Sequence, residues 1–221
     1  MGNGMNKVID GLYLGNIRDS ENRESLSKNG ITHILSVYNN AKPMFEDMTY
    51  LCIHAADASS QNLLQHFKKC IAFIHECRLN GGACLVHCLA GVSRSTTMVV
   101  AYLMTVTHYS CEDCLSAVKA VRSFVGPNYG FQQQLQEYQN TKVTEYRAWL
   151  ESSFRPSPFN DQEQVGALLS QYTELQEYQN TKVTEYRAWL ESSFRPSPFN
   201  DQEQVGALLS QYTELQEYQN T

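Results

Sequence analysis

The chain has 221 residues and a formal net charge of −6, and without clusters of basic residues it does not fit a nucleic-acid-binding protein. Its seven cysteines are odd in number and mostly lie on apolar faces, so we expect reduced thiols and a cytoplasmic location. No apolar run approaches the length of a membrane span, and the size allows one domain or at most two.

The first residues carry a candidate lipidation signal. Met1–Lys7 matches the N-myristoylation pattern at Gly2, although Asn6 stands where serine or threonine is preferred. The alternative is a flexible, glycine-rich start without modification. Because one myristoyl chain binds membranes only weakly, with an association constant on the order of 10⁴ M⁻¹, modification would add a membrane-associated fraction to a mainly cytoplasmic protein.

Apolar segments that suit strands alternate with segments of helical periodicity as far as residue 134. Such alternation is typical of an α/β fold, in which helices flank a central, mostly parallel, twisted sheet. The last helix of this series is predicted to begin at Phe131. The other predicted elements are strands at 7–14 (a pair broken by Asp10-Gly11), 31–37, 50–55 and 83–87, and helices at 20–28, from 61 to the glycine pair at 81–82, at 95–106 and at 115–122.

Residues 86–95, Val-His-Cys-Leu-Ala-Gly-Val-Ser-Arg-Ser, lie at the junction of the strand predicted at 83–87 and the helix predicted at 95–106. A strand, a tight loop and a helix N-terminus form an anion site, because loop N–H groups point inward and the helix dipole adds positive charge. Five residues separate Cys88 from Arg94, enough to wrap around a tetrahedral oxyanion. The candidate binding residues are Leu89, Ala90, Gly91, Val92, Ser93 and Arg94.

Cys88 and Arg94 give this loop its predicted chemistry. An electropositive loop favours the thiolate form of Cys88, which is the nucleophilic form. Arg94 offers a bidentate guanidinium to two phosphate oxygens. The alternative, one more buried cysteine and a surface arginine, does not explain four residue types at fixed spacing in a strand–loop–helix context.

This loop resembles the signature of the protein tyrosine phosphatase superfamily. Three further stretches, 12–16, 101–104 and 127–131, resemble segments of the atypical dual-specificity phosphatases. The resemblance implies their fold, hydrolysis of phosphotyrosine and phosphoserine or phosphothreonine in proteins, and a role in JNK/MAP kinase signalling. It also favours myristoylation at Gly2, because the resembling phosphatases begin almost identically and are acylated. One departure is Gly126, where these proteins usually have asparagine before proline.

The chemistry of such a loop needs an acid that protonates the leaving oxygen. Asp57 is the candidate, because an apolar strand ends before it and a loop of small residues follows. From the residues alone, a turn or N-cap aspartate is an equal alternative. The resemblance favours the acid, since the dual-specificity phosphatases carry theirs at this place before the cysteine. It also implies that Asn128 orients the loop.

These residues predict a reaction in two steps without a metal or cofactor. Cys88 attacks phosphorus while Asp57 protonates the departing oxygen, and Asp57 then activates the water that hydrolyses the phosphocysteine. Arg94 and the loop N–H groups hold the equatorial oxygens. Ser95 is expected to donate a hydrogen bond to the sulfur, and His87 to anchor the loop rather than act as a base.

Two classes of function stay open at this point. The first is a cysteine-dependent phosphoprotein phosphatase; the loop lacks the lysines with which phosphoinositide phosphatases bind additional phosphates. The alternative is a phospho-dependent binding or scaffold protein with low turnover. The joint presence of Cys88, Arg94 and Asp57 favours the enzyme, which we expect to be a monomer with phosphorylated proteins as its partners.

The end of the chain repeats itself. Residues 135–174 recur without a change at 175–214, and 215–221 begin a third copy. Functional repeats drift in sequence because each copy meets a different neighbour, so complete identity points to a recent tandem duplication or to an artefact. We expect a catalytic domain at 1–142, a partly helical tail at 143–174, and a poorly packed repeat at 175–221 without catalytic importance.

Overall fold

The computed structural model of the chain describes residues 4–219. They fall into two compact units, Met1–Leu175 and Gln176–Thr221. Within the described residues, none of the helices is long and apolar enough to cross a bilayer.

The first unit is built on a five-stranded sheet whose order is β1-β2-β5-β3-β4. The first two strands form an antiparallel hairpin, and every other pair of neighbours is parallel. This confirms the predicted α/β fold with a mostly parallel sheet. The strands are β1 (Asn6–Ile9), β2 (Leu12–Gly15), β3 (Ile31–Val37), β4 (Thr49–Ile53) and β5 (Ala83–His87).

The helices follow the predicted order, but several of their bounds differ; the helix predicted at 115–122, for example, begins at Cys111. The segment predicted as one helix at 20–28 is two helices, because the side chain of Asn22 accepts a hydrogen bond from the Ser25 N–H and starts a new helix. The third helix begins later than predicted, after a 3-10 turn at Leu64–His66. The helices are α1 (Ile17–Glu21), α2 (Arg23–Lys28), α3 (Phe67–Leu79), α4 (Arg94–Val106), α5 (Cys111–Val121), α6 (Tyr129–Thr141), α7 (Val143–Ser153), α8 (Asp161–Ser193) and α9 (Asp201–Gln219).

Strand β5 and helix α4 form the centre of this unit. All five residues of β5 are buried, and the first four alternate between two apolar clusters on the two faces of the sheet. Helix α4 is buried from Arg94 to Thr105, as expected for a helix that is enclosed on all sides. The short connection from β5 to α4 therefore lies at the carboxyl end of a central strand, where parallel sheets bind their ligands.

The first copy of the repeated sequence packs into the first unit. Leu135, Leu150 and Val165 are all buried there. The Asp161 carboxylate accepts two hydrogen bonds from the buried Arg78 guanidinium, Nη2–Oδ1 at 2.7 Å and Nη1–Oδ2 at 3.0 Å. The division of the chain at residue 142 into a domain and a tail stays a prediction.

The second copy has the same residues in different surroundings. None of the side chains described in the second unit is buried. Val205, the counterpart of Val165, is 62% exposed, whereas Val165 is 0% exposed. The two copies thus provide matched positions of identical local sequence, with Asp161 and Asp201 as the most informative pair.

We expect Asp161→Ala to lower the free energy of unfolding by about 3 kcal/mol, because it leaves the Arg78 charge buried without its carboxylate. Asp201→Ala removes the same side chain from an exposed site and should change stability by less than about 0.5 kcal/mol. Urea unfolding of the full chain measures both. A chain that ends after residue 174 should unfold at the wild-type urea concentration and keep its activity. Equal losses in the two aspartate variants would contradict the conclusion that Asp161 is paired with buried Arg78 while Asp201 is exposed.

Candidate active site

Residues 88–94, the signature loop, connect β5 to α4 and enclose the sulfur of Cys88. The cysteine is 2% exposed. Its Sγ accepts a hydrogen bond from the Gly91 N–H, with an N–S distance of 3.3 Å, and lies 3.1 Å from Ser95 Oγ. Gly91 has φ of +69°, a left-handed conformation that glycine adopts without strain and that turns its N–H toward the sulfur.

The predicted binding residues occupy this loop with different exposures. Leu89 is 48% exposed and Ala90 is exposed as well, so both lie on the outer edge. Gly91 and Ser93 are buried, and Val92 is half-buried. The loop therefore presents its backbone, rather than charged side chains, around the sulfur.

Arg94, the first residue of α4, holds its guanidinium in a largely buried position, with 8% of the residue exposed. Its Nη1 donates a hydrogen bond of 3.1 Å to the Ala55 carbonyl, which fixes the side chain against the loop that follows β4. Its buried Nε has no hydrogen-bond partner among the described residues. A guanidinium that is held on one side and has a free N–H is suited to bind a phosphate oxygen.

His87 lies directly before the nucleophile and is 1% exposed. Burial lowers the pKa of His87 to about 4, so the ring is neutral at physiological pH. One ring nitrogen, Nδ1, donates to the Cys88 carbonyl at 3.1 Å, and Nε2 accepts from the Ser36 hydroxyl at 2.7 Å. These bonds tie the start of the signature loop to the neighbouring strand β3.

Histidines that are buried and neutral in the folded protein make its stability depend on pH. Burial also lowers the pKa of His75 to about 4. Below pH 6.5 His75 and His87 together bind up to two more protons in the unfolded chain than in the folded one, so stability falls as pH falls toward 4. The expected loss is about tenfold in the folded-to-unfolded ratio per pH unit for each histidine. Urea unfolding between pH 7 and 5 checks this.

A double variant, His75→Asn with His87→Gln, should show a flatter profile than the wild type over the same range. His108→Gln changes an exposed histidine and serves as the control. A wild-type stability that is constant between pH 6.5 and 5 would contradict the neutral, buried state of the two rings.

Asp57 is exposed in the loop after β4 and is connected to the signature loop through Asn128. The Asn128 side chain donates from Nδ2 to Asp57 Oδ1 at 2.9 Å. The Asn128 backbone N–H donates to Ser93 Oγ at 2.9 Å. Two hydrogen bonds therefore join the candidate acid to a residue of the loop that contains the candidate nucleophile.

The start of α6 also supports the acid-bearing loop. A Cβ on Gly130 would lie 2.0 Å from the Ser59 carbonyl oxygen, so this close approach requires glycine. Gln134 accepts hydrogen bonds from the N–H groups of Leu63 and Leu64, and donates to the Gln61 carbonyl. These contacts hold the middle and the end of the loop, and the sequence reasoning did not identify Gly130 or Gln134.

Gly126 departs from the sequence pattern without disturbing the signature loop. Its backbone N–H donates to the Val92 carbonyl at 3.0 Å, a bond that any residue except proline can make. A Cβ at Gly126 would meet open space. The asparagine usual at this position is therefore not needed for this contact.

Other parts of the described chain offer no second candidate for the same chemistry. A cavity of about 650 Å³ lies between the end of α4, helix α7 and residues 155–163, and none of the predicted site residues lines it. Among the described residues, no group of three or more His, Cys, Asp or Glu side chains is arranged to hold a metal ion. Gly2, the predicted lipidation site, lies outside the described residues.

A buried cysteine and arginine in a strand–loop–helix connection, with a carboxylate linked to the same loop, form the arrangement that the sequence predicted for a phosphatase site. Residues 12–141 match the family model of the dual specificity phosphatase catalytic domain, so the chain belongs to this family and is a dual-specificity protein phosphatase. It is similar to dual specificity protein phosphatase 22-A of Danio rerio, with 82% identity over 174 residues, which are 79% of this chain and 84% of the relative.

Further comparisons agree. Dual specificity protein phosphatase 22 of Homo sapiens is 57% identical over 170 residues, which are 77% of this chain and 92% of that protein. The crystal structure of DUSP15 superposes with a TM-score of 0.69 at 51% identity, covering 71% of this chain and all of that chain. The predicted family and its α/β fold are thereby confirmed.

Proposed function

We propose that the protein hydrolyses the phosphate esters of phosphoproteins through a phosphocysteine intermediate. In the first step the Cys88 thiolate forms a sulfur–phosphorus bond, the phosphorus–oxygen bond to the substrate breaks, and Asp57 gives its proton to the leaving oxygen. In the second step water attacks phosphorus, the sulfur–phosphorus bond breaks, and Asp57 takes a proton from the water. The observation that carries this proposal is the Gly91 N–H bond to Cys88 Sγ inside the loop.

Arg94 and the loop backbone bind the phosphoryl group in this proposal. The free Nε of Arg94 and the loop N–H groups would hold the equatorial oxygens, where the charge of the transition state is spread. Ser95, with its Oγ 3.1 Å from the sulfur, would donate a hydrogen bond to the sulfur as it becomes a leaving group in the second step. Asn128 would orient the Asp57 carboxylate.

Phosphotyrosine and phosphoserine or phosphothreonine are the proposed substrates. The exposed Leu89 and Ala90 give the loop an apolar edge without a cation, which suits a protein side chain better than a multiply phosphorylated lipid. The test is phosphate release from matched phosphotyrosine, phosphothreonine and phosphoserine peptides by wild type and Cys88→Ser. Release from all three by the wild type supports the proposal. Peptide binding without release would favour the scaffold alternative.

We further propose that the substrates belong to a MAP kinase pathway, including its JNK branch. The support is the family resemblance. In cells, wild type and Cys88→Ser at equal expression should give different levels of JNK phosphorylation after stress. Equal levels would contradict the assignment to this pathway.

For Gly2 we propose myristoylation and a cytoplasmic protein with a membrane-associated fraction. The expected result for Gly2→Ala is loss of that fraction in cell fractionation, because a weak single-chain anchor is then removed. The soluble fraction should keep its specific activity. Identical partitioning of the two proteins would contradict the lipidation proposal.

A further inference from the structure

Arg122 is a buried cation beside the signature loop to which neither the sequence pattern nor the proposed mechanism gives a role. It follows helix α5 and caps the end of that helix with its backbone N–H. The residue is 2% exposed, and its guanidinium lies 4.6 Å from the centre of the Phe124 ring. Long, charged side chains are rarely buried to this degree unless their donors are used.

The donors of Arg122 join two separate parts of the chain. Nε donates a hydrogen bond of 2.9 Å to the carbonyl of Gly91 in the signature loop. Nη1 donates to the Asn6 side-chain oxygen at 2.8 Å and to the Gly4 carbonyl at 3.4 Å. The guanidinium thus connects the start of strand β1 to the loop that surrounds Cys88.

Gly91 has close neighbours at its N–H, at its carbonyl and at the position that a Cβ would occupy. Its N–H faces the sulfur of Cys88, and its carbonyl accepts from Arg122. A Cβ at this position would lie 2.5 Å from the Gly15 carbonyl oxygen and 2.6 Å from Arg122 Nη2. The sulfur contacts the peptide that precedes Gly91 and Arg122 contacts the peptide that follows it, so the two bonds together hold Gly91 in the conformation that directs its N–H, which the proposed mechanism uses, to the sulfur.

The charge of Arg122 acts on the same loop. Among the described residues, no carboxylate lies within salt-bridge distance of its guanidinium. Burial lowers the pKa of Arg122, while the nearby Asp19 and Cys88 act in the opposite direction. A buried cation without a bonded carboxylate favours negative charge in its surroundings, here the thiolate and a bound phosphoryl group.

We propose that Arg122 is a positioning residue of this phosphatase, which holds Gly91 in the conformation that directs its N–H to Cys88, and that Asn6 in turn fixes Arg122. The start of strand β1 is then part of the support of the active site. This proposal deepens the proposed function and rests on it.

Three variants test the proposal through kcat/KM on a phosphotyrosine peptide. Arg122→Met removes both the bonds and the charge and should lower kcat/KM about 10- to 100-fold. Arg122→Lys keeps the charge but cannot reach Gly91 and Asn6 together, so its loss should be smaller. Asn6→Ala should lower kcat/KM about threefold to tenfold, although it touches no substrate.

A second readout separates positioning from simple destabilisation. The rate of Cys88 alkylation by anionic iodoacetate, relative to neutral iodoacetamide, reports the positive field at the sulfur. Arg122→Met should lower this ratio, and Arg122→Lys should restore it. Arg147→Met is the matched control, because Arg147 also donates to a backbone carbonyl, that of Met104, away from the loop. It should cost stability while leaving both readouts at wild-type values.

The outcomes are distinct. Wild-type kcat/KM and alkylation ratio in Arg122→Met would overturn the proposal. If Arg122→Met does not fold, wild-type kcat/KM in both Arg122→Lys and Asn6→Ala would overturn it. A wild-type protein without phosphatase turnover would instead refute the proposed function, and the alkylation ratio would then decide the role of Arg122 alone.

Discussion

Replacing Cys88 with serine should lower the turnover of any phosphoester by at least about 10⁴-fold, because a serine hydroxyl in this loop stays protonated and is a poor nucleophile. The loop should still fold, since serine is close to cysteine in size and the Gly91 N–H can donate to its hydroxyl oxygen. Substrate binding should therefore persist. Steady-state hydrolysis of an aryl phosphate without added metal measures the loss.

The matched control for this variant is another buried cysteine. Burial raises the pKa of the Cys70 thiol to about 12, which leaves it protonated and unreactive. Cys70→Ala should keep the wild-type kcat. A Cys88→Ser protein that retains more than a trace of activity, or a Cys70→Ala protein that loses as much, would contradict the assignment of the nucleophile.

Asp57→Asn should have the second largest effect on turnover, and its size should depend on the leaving group. Phosphoserine peptides have a poor leaving oxygen that needs a proton, so kcat should fall about 10²- to 10⁴-fold. An aryl phosphate with an acidic phenol leaves without much help and should lose far less. The comparison of the two substrates measures the proton donation itself.

Two controls accompany Asp57→Asn. Asn128→Ala removes the bond to the carboxylate and should lower kcat on the peptide by about tenfold, since the acid is kept but less well oriented. Asp113→Asn changes an acidic residue on helix α5 and should have no effect. Equal losses of Asp57→Asn on both substrates would argue against a role as general acid.

The sequence predicted those parts of the fold that local patterns determine. The apolar run at 83–87 and the strand at 31–37 form β5 and β3 at the predicted positions, because short apolar runs bounded by turn residues favour buried strands. The signature loop after β5 also has the predicted strand–loop–helix context. The split of 20–28 at Asn22 was missed, because a single asparagine cap outweighed the helical tendency of its neighbours.

Contacts between distant segments could not be predicted in the same way. Arg122 ends an ordinary amphipathic helix, and nothing near it in sequence indicates a bond to Gly91. The bond from Asn128 to Asp57 joins residues that lie far apart in the chain. The repeat gives the clearest case, because Asp161 and Asp201 have identical neighbours in sequence but only the former meets Arg78. Local sequence does not determine such contacts.

The phosphocysteine intermediate on Cys88 is tested most directly by rapid acid quenching during turnover. The peptide that contains Cys88 is then analysed by mass spectrometry. The wild type, and more strongly a variant with slowed hydrolysis such as Asp57→Asn, should carry one phosphoryl group on the Cys88 sulfur, absent from Cys88→Ser. Phosphate release without any phosphorylated Cys88 peptide, or with the phosphoryl group on another residue, would contradict the mechanism.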